Sequence, residues 1–352
     1  MRAIIHAGMH KTGTSSIQDT LAKIDHPDYA YLKWRSPNLS GLFAQQFYEP
    51  VEEYHSFKLS GQTREELLRE RKANFLRMSE QLSQVTKPNL IFSAEDITAP
   101  NDTFGMATQK LADYLSNWAT EFKVYAYVRT PSSFMMSAFQ QRVKGSKLKN
   151  IKVDTLWPRY RDRLERLDKI FGQENVELVK FHRSEFKGGD VVTDFAGRLG
   201  ISLTPDQIEQ SNEGLSLEAL ALLFAQRNLG SGRPSGFKGS HKLNDQFIEK
   251  LSSIGSGKSS FSPEFLEPIF EANKDDLDWI ENRLGAKLSD IPAPAPNQIS
   301  CDEDLIAIAE ANSNELDHAL VELLSESELG RSMTAVEKAE KISALLKAKA
   351  GR

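Results

Sequence analysis

The residues best suited to chemistry lie near the start of the chain, in the segment Gly8–Ser16. Its sequence is Gly-Met-His-Lys-Thr-Gly-Thr-Ser-Ser, so Lys11 supplies a positive charge between Gly8 and Gly13. Glycines, a lysine and hydroxyl groups in one short segment favour the binding of an anion such as phosphate or sulfate. The side chains that can donate from a hydroxyl group are Thr12, Thr14, Ser15 and Ser16.

The flanking residues predict that this segment joins a strand to a helix. Ala3–Ala7 is a short apolar run, and Ile17, Leu21 and Ile24 recur with the spacing of one helix face. Such a loop presents several backbone N–H groups and the positive end of the helix dipole at one point. We therefore predict that the loop holds an anionic nucleotide through one of its phosphates.

The glycine spacing matches that of the ATP-binding loop, G-x-x-x-x-G-K-[ST], but the lysine lies elsewhere. Gly8 and Gly13 occupy the two glycine positions, whereas Thr14 stands where that pattern requires lysine. The lysine lies inside the loop, at Lys11. The segment thus has the architecture of a phosphate-binding loop without the ATPase signature.

A second segment of similar composition lies at Gly255–Ser259, with the sequence Gly-Ser-Gly-Lys-Ser. Ser252 stands at the position of the first glycine of the ATP-binding pattern, and no buried strand is predicted before the segment. We therefore predict no phosphate site there.

Two carboxylates follow a second predicted strand. Asn89–Ser93 is a buried apolar run, and Glu95 and Asp96 come just after its carboxyl end. Because ligands of an open α/β sheet bind outside the carboxyl ends of the strands, we expect both side chains to reach the same crevice as Lys11. There they can act as a general base or bind an acceptor, and the structural alternative is capping of the next helix. We predict no metal at this pair, since no histidine lies nearby in the sequence.

The segment His10–Ser16 resembles the 5′-phosphosulfate loop of sulfotransferases that use 3′-phosphoadenosine 5′-phosphosulfate (PAPS) as donor. The longer string Gly8–Gln18 is similar to that of bacterial members of the family, as is Ser93–Asp96 to their Ser-x-Glu-Asp string. The resemblance covers residues 1–200 and, faintly, 212–284. It implies a P-loop-like fold, with PAPS as the cofactor and 3′-phosphoadenosine 5′-phosphate (PAP) as its product.

The resemblance also implies a second motif, an arginine at a strand end with a serine about eight residues later on a helix. Lys123–Val128 predicts a third strand, Arg129 follows it, and Ser137 lies eight residues further on in a predicted helix at Phe134–Lys144. An arginine can donate two charge-assisted hydrogen bonds to a phosphate, and a serine can add a third. By this resemblance Arg129 and Ser137 grip the 3′-phosphate of the donor.

The implied activity is sulfuryl transfer to an acceptor hydroxyl or amine, for example on a carbohydrate. Backbone N–H groups of Thr12–Ser15 hold the 5′-phosphate in this hypothesis, and Lys11 neutralises the bridging oxygen as its bond to sulfur breaks. Glu95 is the first choice for the base that takes the acceptor proton, with His10 and His55 as alternates. Three alternatives remain: a phosphotransferase that uses ATP and Mg²⁺, a non-catalytic nucleotide-binding protein, and a scaffold protein.

Short buried strands that alternate with helices predict an α/β fold with a P-loop-like parallel sheet flanked by helices. The fourth strand is predicted at Val176–Phe181, and beyond about residue 210 the periodicity is helical, which indicates a C-terminal helical lobe. We predict a core at 1–200, a helical lobe with lid loops of the same domain at 201–290, and a linker with C-terminal helices at 291–352. The last helices offer a surface for this domain or for a second copy of the chain.

The composition limits the class of protein. Of the 352 residues 39% are hydrophobic and 26% are charged, which is typical of a soluble globular chain. The net charge of −5 implies no general attraction to nucleic acid, and the single cysteine, Cys301, excludes an intramolecular disulfide. No apolar run approaches the roughly 18 residues of a membrane span, and no signal peptide is predicted, so we expect a cytoplasmic protein.

Overall fold

The computed structural model describes residues 1–9, 11–99, 102–145, 150–151, 155–209, 214–234, 239–321 and 333–350. The chain forms two compact units. The first comprises Met1–Thr130, Arg159–Asn212 and Asp275–Leu288, and the second comprises Pro131–Pro158, Glu213–Lys274 and Ser289–Arg352. The boundaries expected at residues 200 and 290 remain predictions.

The first unit contains a parallel sheet of five strands in the order β2-β3-β1-β4-β5. The α/β fold with a parallel sheet is therefore confirmed. The chain adds β2 and β3 on one side of β1 and then β4 and β5 on the other, so the connections diverge at the carboxyl end of β1, where α/β sheets bind ligands. The strands are β1 (Arg2–His6), β2 (Tyr29–Tyr31), β3 (Asn89–Ser93), β4 (Glu121–Arg129) and β5 (Val176–Phe181).

Helices flank this sheet and make up the second unit. The first unit contains α1 to α5, α7, α8 and nearly all of α12, and the second contains the others. In chain order the helices are α1 (Thr14–Leu21), α2 (Ser40–Phe47), α3 (His55–Ser60), α4 (Arg64–Ser83), α5 (Asp102–Leu115), α6 (Pro131–Gly145), α7 (Tyr160–Phe171), α8 (Val191–Arg198), α9 (Leu217–Leu229), α10 (Ser240–Ser252), α11 (Pro263–Ala272), α12 (Lys274–Leu284), α13 (Asp302–Ala311), α14 (Glu315–Val321) and α15 (Ala335–Ala350).

A hydrophobic core fixes α1 on the sheet and so fixes the start of that helix. Ile17 and Leu21 pack in one buried cluster with Ile4 of β1 and Phe195 of α8. Ile17 is fully buried, which stabilises the fold by about 2–3 kcal/mol relative to an exposed side chain. The predicted apolar face of this helix is thus the face that anchors it.

The second unit is built around α9. Ten residues of this helix are buried, Leu217 and all of Ala219–Arg227, as expected for a helix that is apolar on most sides. It packs against α13, α15, α6 and α10. Among the described residues of the chain, none of the helices is both long enough and apolar enough to cross a membrane.

The bounds of one predicted element were wrong. The glycines, serines and lysines of Gly230–Asn244 predict a loop, but α10 begins at Ser240 because Leu243, Phe247 and Leu251 form one buried face. The amphipathic segment Pro263–Leu284 forms two helices, α11 and α12.

Candidate functional site

The segment between β1 and α1 is a tight loop that needs its glycines. Gly13 is the N-cap of α1 and has a left-handed backbone with φ 71°, and a Cβ at this position would overlap Cγ1 of Val191. A Cβ on Gly8 would overlap Oγ1 of Thr14. The loop therefore brings its backbone close to its neighbours at both ends, which places the first N–H groups of α1 at the carboxyl end of β1.

Lys11 lies at the tip of this loop. It also has a left-handed backbone, with φ 66°, which is uncommon for a residue with a side chain and is frequent at functional sites. Partial desolvation of the ammonium group lowers the pKa of Lys11, while Glu95 raises that pKa and Arg129 lowers it. The structure thus places a carboxylate and a guanidinium within electrostatic range of this lysine.

The hydroxyl groups of the loop divide into two kinds. The Thr12 side chain is fully buried, and its hydroxyl donates to the Met9 carbonyl over 2.7 Å. Thr14 is also buried, and its Oγ1 lies 3.3 Å from that of Thr12, whose only proton is already donated. Both hydroxyls therefore brace the loop, and these residues can offer an anion their backbone N–H groups. Ser15 is exposed and Ser16 is half-buried.

Arg129, at the end of β4, reaches the loop directly. Its Nη1 donates to the Lys11 carbonyl over 2.7 Å, and its guanidinium lies 5.7 Å from the centre of the Phe181 ring. Ser137 lies half-buried in α6, which belongs to the second unit, so its pairing with Arg129 stays a prediction. His10 lies outside the described residues.

The two carboxylates after β3 have different surroundings. Asp96 is buried, accepts a 2.5 Å hydrogen bond from the Tyr54 hydroxyl and donates its backbone N–H to Oγ of Ser40. Glu95 is half-buried and is the carboxylate whose charge acts on Lys11. Asp96 therefore has a structural role, whereas Glu95 has the exposure that a proton acceptor needs. His55, the alternate base, is exposed beside Tyr54, with ring centres 4.4 Å apart.

Sequence reasoning missed a buried polar group beneath the loop. His6, the last residue of β1, is fully buried, and its Nδ1 lies 2.8 Å from Oγ of Ser93 on β3. Gln18 of α1 donates to the same hydroxyl over 3.0 Å, so one network joins β1, β3 and α1. Burial lowers the pKa of His6 to about 4, with Glu95 acting in the opposite direction. A histidine that ends an apolar strand was the signal available in the sequence.

Within the described ranges, no group of three or more His, Cys, Asp or Glu side chains is arranged to hold a metal ion.

Comparison with solved structures returns sulfotransferases. One from Alicyclobacillus acidocaldarius is 20% identical over 64% of this chain and 91% of its own, with a TM-score of 0.37. The sulfotransferase domain from the curacin biosynthetic pathway is 11% identical over 82% of this chain and 98% of its own, with a TM-score of 0.38. No protein-family model and no curated protein matches the chain.

Proposed function

We propose that this chain is a sulfotransferase that moves a sulfuryl group from PAPS to an acceptor hydroxyl or amine. The observation that carries the proposal is the convergence of three charged residues at the carboxyl ends of three adjacent strands. Lys11 follows β1, Glu95 follows β3 and Arg129 ends β4. The charges of Glu95 and Arg129 both shift the pKa of Lys11. A donor with anionic groups and an acceptor with a proton to lose require this combination of charges.

The loop fits the phosphosulfate end of such a donor. The backbone N–H groups of Thr12–Ser15 lie at the start of α1, where unpaired donors and the helix dipole favour an anion, and Lys11 adds a full positive charge. Bound PAPS would supply the sulfuryl group. The Lys11 ammonium neutralises negative charge on the phosphate oxygen that leaves, and Glu95 takes the proton that the acceptor loses. His10 and His55 remain the alternate bases.

Arg129 has a second role in this proposal, at the 3′-phosphate of the nucleotide together with Ser137. The guanidinium presents five N–H donors, and one N–H of Nη1 is donated to the Lys11 carbonyl, so one side chain can join the loop to a phosphate. The 3′-phosphate distinguishes PAPS and PAP from ATP, which makes this contact a source of nucleotide selectivity.

Titration calorimetry with PAP and with ATP and Mg²⁺ tests the proposal on the full chain. We expect PAP to bind and ATP to bind at least tenfold more weakly, followed by transfer from PAPS when acceptors such as carbohydrates and small phenols are supplied. Binding of ATP and Mg²⁺ alone would overturn the proposal in favour of a phosphotransferase. Binding of PAP without transfer to any acceptor would indicate a non-catalytic nucleotide-binding protein. If neither PAP nor ATP bound, the result would indicate a scaffold protein.

Adenosine 5′-monophosphate, which lacks the 3′-phosphate, isolates the role of Arg129. We expect Arg129→Met to weaken PAP binding about tenfold to 100-fold, the effect of one charge-assisted hydrogen bond, and to change monophosphate binding little. Arg161→Met, a change of an exposed arginine paired with Glu165 on α7, is the matched control. Equal losses for both nucleotides would restrict Arg129 to supporting the loop.

A further inference from the structure

Helix α7 donates side-chain hydrogen bonds to backbone carbonyls at the carboxyl ends of β3 and β4. The hydroxyl of Tyr160, a fully buried residue, donates to the carbonyl of Arg129 over 2.6 Å. One turn later, Nη1 of Arg163 donates to the carbonyl of Thr98 over 2.9 Å. Two successive positions on one helix face therefore hold the strand end that carries Arg129 and the turn that follows Glu95.

A third side chain holds the same turn from the next position on that face. Nη2 of Arg166 donates to the carbonyls of Ile97 and Ala99, over 2.7 and 2.6 Å. Together with the bond from Arg163, three consecutive carbonyls of the turn are bound by two guanidinium groups. Arginine suits this task because its donors are fixed in a planar fork.

The turn after β3 is hydrogen-bonded to the loop between β1 and α1. Oγ1 of Thr98 donates to the carbonyl of Gly8 over 3.0 Å. A chain of contacts thus runs from Arg163 through Thr98 to Gly8, although the first and last of these residues are far apart in sequence. Through this route and through the separate bond of Tyr160 to Arg129, α7 is connected to the segments that follow β1 and β3 and to the end of β4.

The burial of Arg163 is costly for the fold. Arg163 is 6% exposed, and burial, assisted by the charge of Arg166, lowers the pKa of Arg163 to about 10. A buried guanidinium loses much of its hydration, so its retention calls for a compensating gain. The hydrogen bond to the Thr98 carbonyl offsets part of this cost, because a bond from a charged donor is stronger than one between neutral groups.

We infer that Tyr160, Arg163 and Arg166 are positioning residues that hold Arg129 and the Gly8–Gly13 loop in the geometry for binding an anionic nucleotide. This inference rests on the proposed function for the identity of that nucleotide. Its structural content, the coupling of α7 to the loop through Thr98, can be measured without any nucleotide.

Amide hydrogen exchange, followed by mass spectrometry on the full chain, measures that coupling. In Arg163→Met we expect peptides that cover residues 7–16 to exchange at least tenfold faster, and peptides that cover β5 to exchange as in the unmodified chain. Thr98→Val should have the same effect on the loop. Because both changes break one chain of contacts, the double variant should exchange no faster than either single variant. Unchanged loop exchange in Arg163→Met, or additive effects, would overturn the inference.

Nucleotide binding and controls complete the test. PAP should bind about tenfold more weakly to Arg163→Met, with partial recovery in Arg163→Lys, which keeps the charge and can still donate a hydrogen bond. Arg161→Met should change neither exchange nor binding. If Arg163→Met fails to fold, Tyr160→Phe removes a single hydroxyl, and its PAP affinity should fall several-fold; an unchanged affinity counts against the inference. If PAP does not bind the unmodified chain, the proposed function is rejected. The hydrogen-exchange measurement then decides by itself whether α7 positions the loop.

Discussion

Two segments of the chain have nearly the same composition and quite different structures. Gly8–Ser16 and Gly255–Ser259 both combine glycine, serine and lysine. The first follows a buried strand and leads into α1, so its backbone donors collect at a helix start. The second follows α10 and belongs to no helix or strand. The element that precedes and the element that follows therefore decide what the same residue types can do.

The charged side chains that hydrogen-bond to the backbones of the two segments also differ in sign. In the second unit, the Gly257 N–H donates to the Glu218 carboxylate over 3.0 Å, and the Gly257 carbonyl accepts from the N–H of Leu217. An internal anion thus already binds the donor of that segment. In the first unit, Arg129 donates to the loop carbonyl of Lys11 and adds positive charge there. The first loop has the positive charge that favours binding of an anionic ligand, whereas the backbone of the second segment already binds the Glu218 carboxylate.

Replacement of Lys11 and of Lys258 should show the largest functional difference between the two segments. We expect Lys11→Ala to lower turnover with PAPS about 10³-fold, the effect of losing a group that stabilises charge in the transition state. Lys258→Ala should leave turnover unchanged. The measurement is initial rate at saturating PAPS, with unfolding curves to show that both variants are folded. Wild-type turnover in Lys11→Ala, or an equal loss in Lys258→Ala, would contradict the assignment of the first loop.

The two carboxylates give a second, smaller contrast. Glu95→Gln should lower turnover at least about 10²-fold, because it removes the proposed base, and should change PAP affinity much less. Glu218→Gln should leave turnover intact and cost roughly 1 kcal/mol in the free energy of unfolding, since it weakens the hydrogen bond to Gly257. Rates and calorimetry separate the two effects. Unchanged turnover in Glu95→Gln would transfer the role of base to His10 or His55.

His6 provides the smallest contrast, in stability alone. Because burial lowers its pKa from 6.5 to about 4, the unfolded chain binds a proton between these pH values that the folded chain does not. Its contribution to stability is therefore present above pH 6.5 and is lost as the pH falls towards 4. Between pH 7 and 4.5 we expect the unmodified chain to lose about 2 kcal/mol more than His6→Gln.

Denaturant unfolding of the full chain at several pH values measures this difference in the free energy of unfolding. His318→Gln, at an exposed site in the second unit, is the matched control and should follow the unmodified chain. If the stability of His6→Gln falls with pH in parallel with that of the unmodified chain, His6 takes up its proton without cost and the account of its burial is wrong.

Local patterns predicted most of the elements around the site. The runs at β1, β3, β4 and β5 are long and apolar enough to be recognised as strands. Thr63 and Glu66, whose spacing is typical of a capping box, form one at the start of α4. Tyr29–Tyr31 was missed because three residues show too little alternation to indicate a strand. Helix ends were less accurate, as at the start of α10, because the point at which a helix begins depends on packing.

Adjacent residues specify the loop, because a strand, a glycine-bounded turn and a helix start are all local patterns. Which distant side chains meet that loop depends on the packing of the sheet and its helices. Arg129 reaches Lys11, 118 positions away in the sequence, because β4 pairs with β1. Tyr54 donates a hydrogen bond to Asp96, 42 positions away, and this contact gives Asp96 a structural role that Glu95 does not share. The bonds of α7 to the turn after β3 and the network of His6 are equally long-range. Local patterns cannot specify such contacts, because the order of strands in a sheet arises from burial of the whole core.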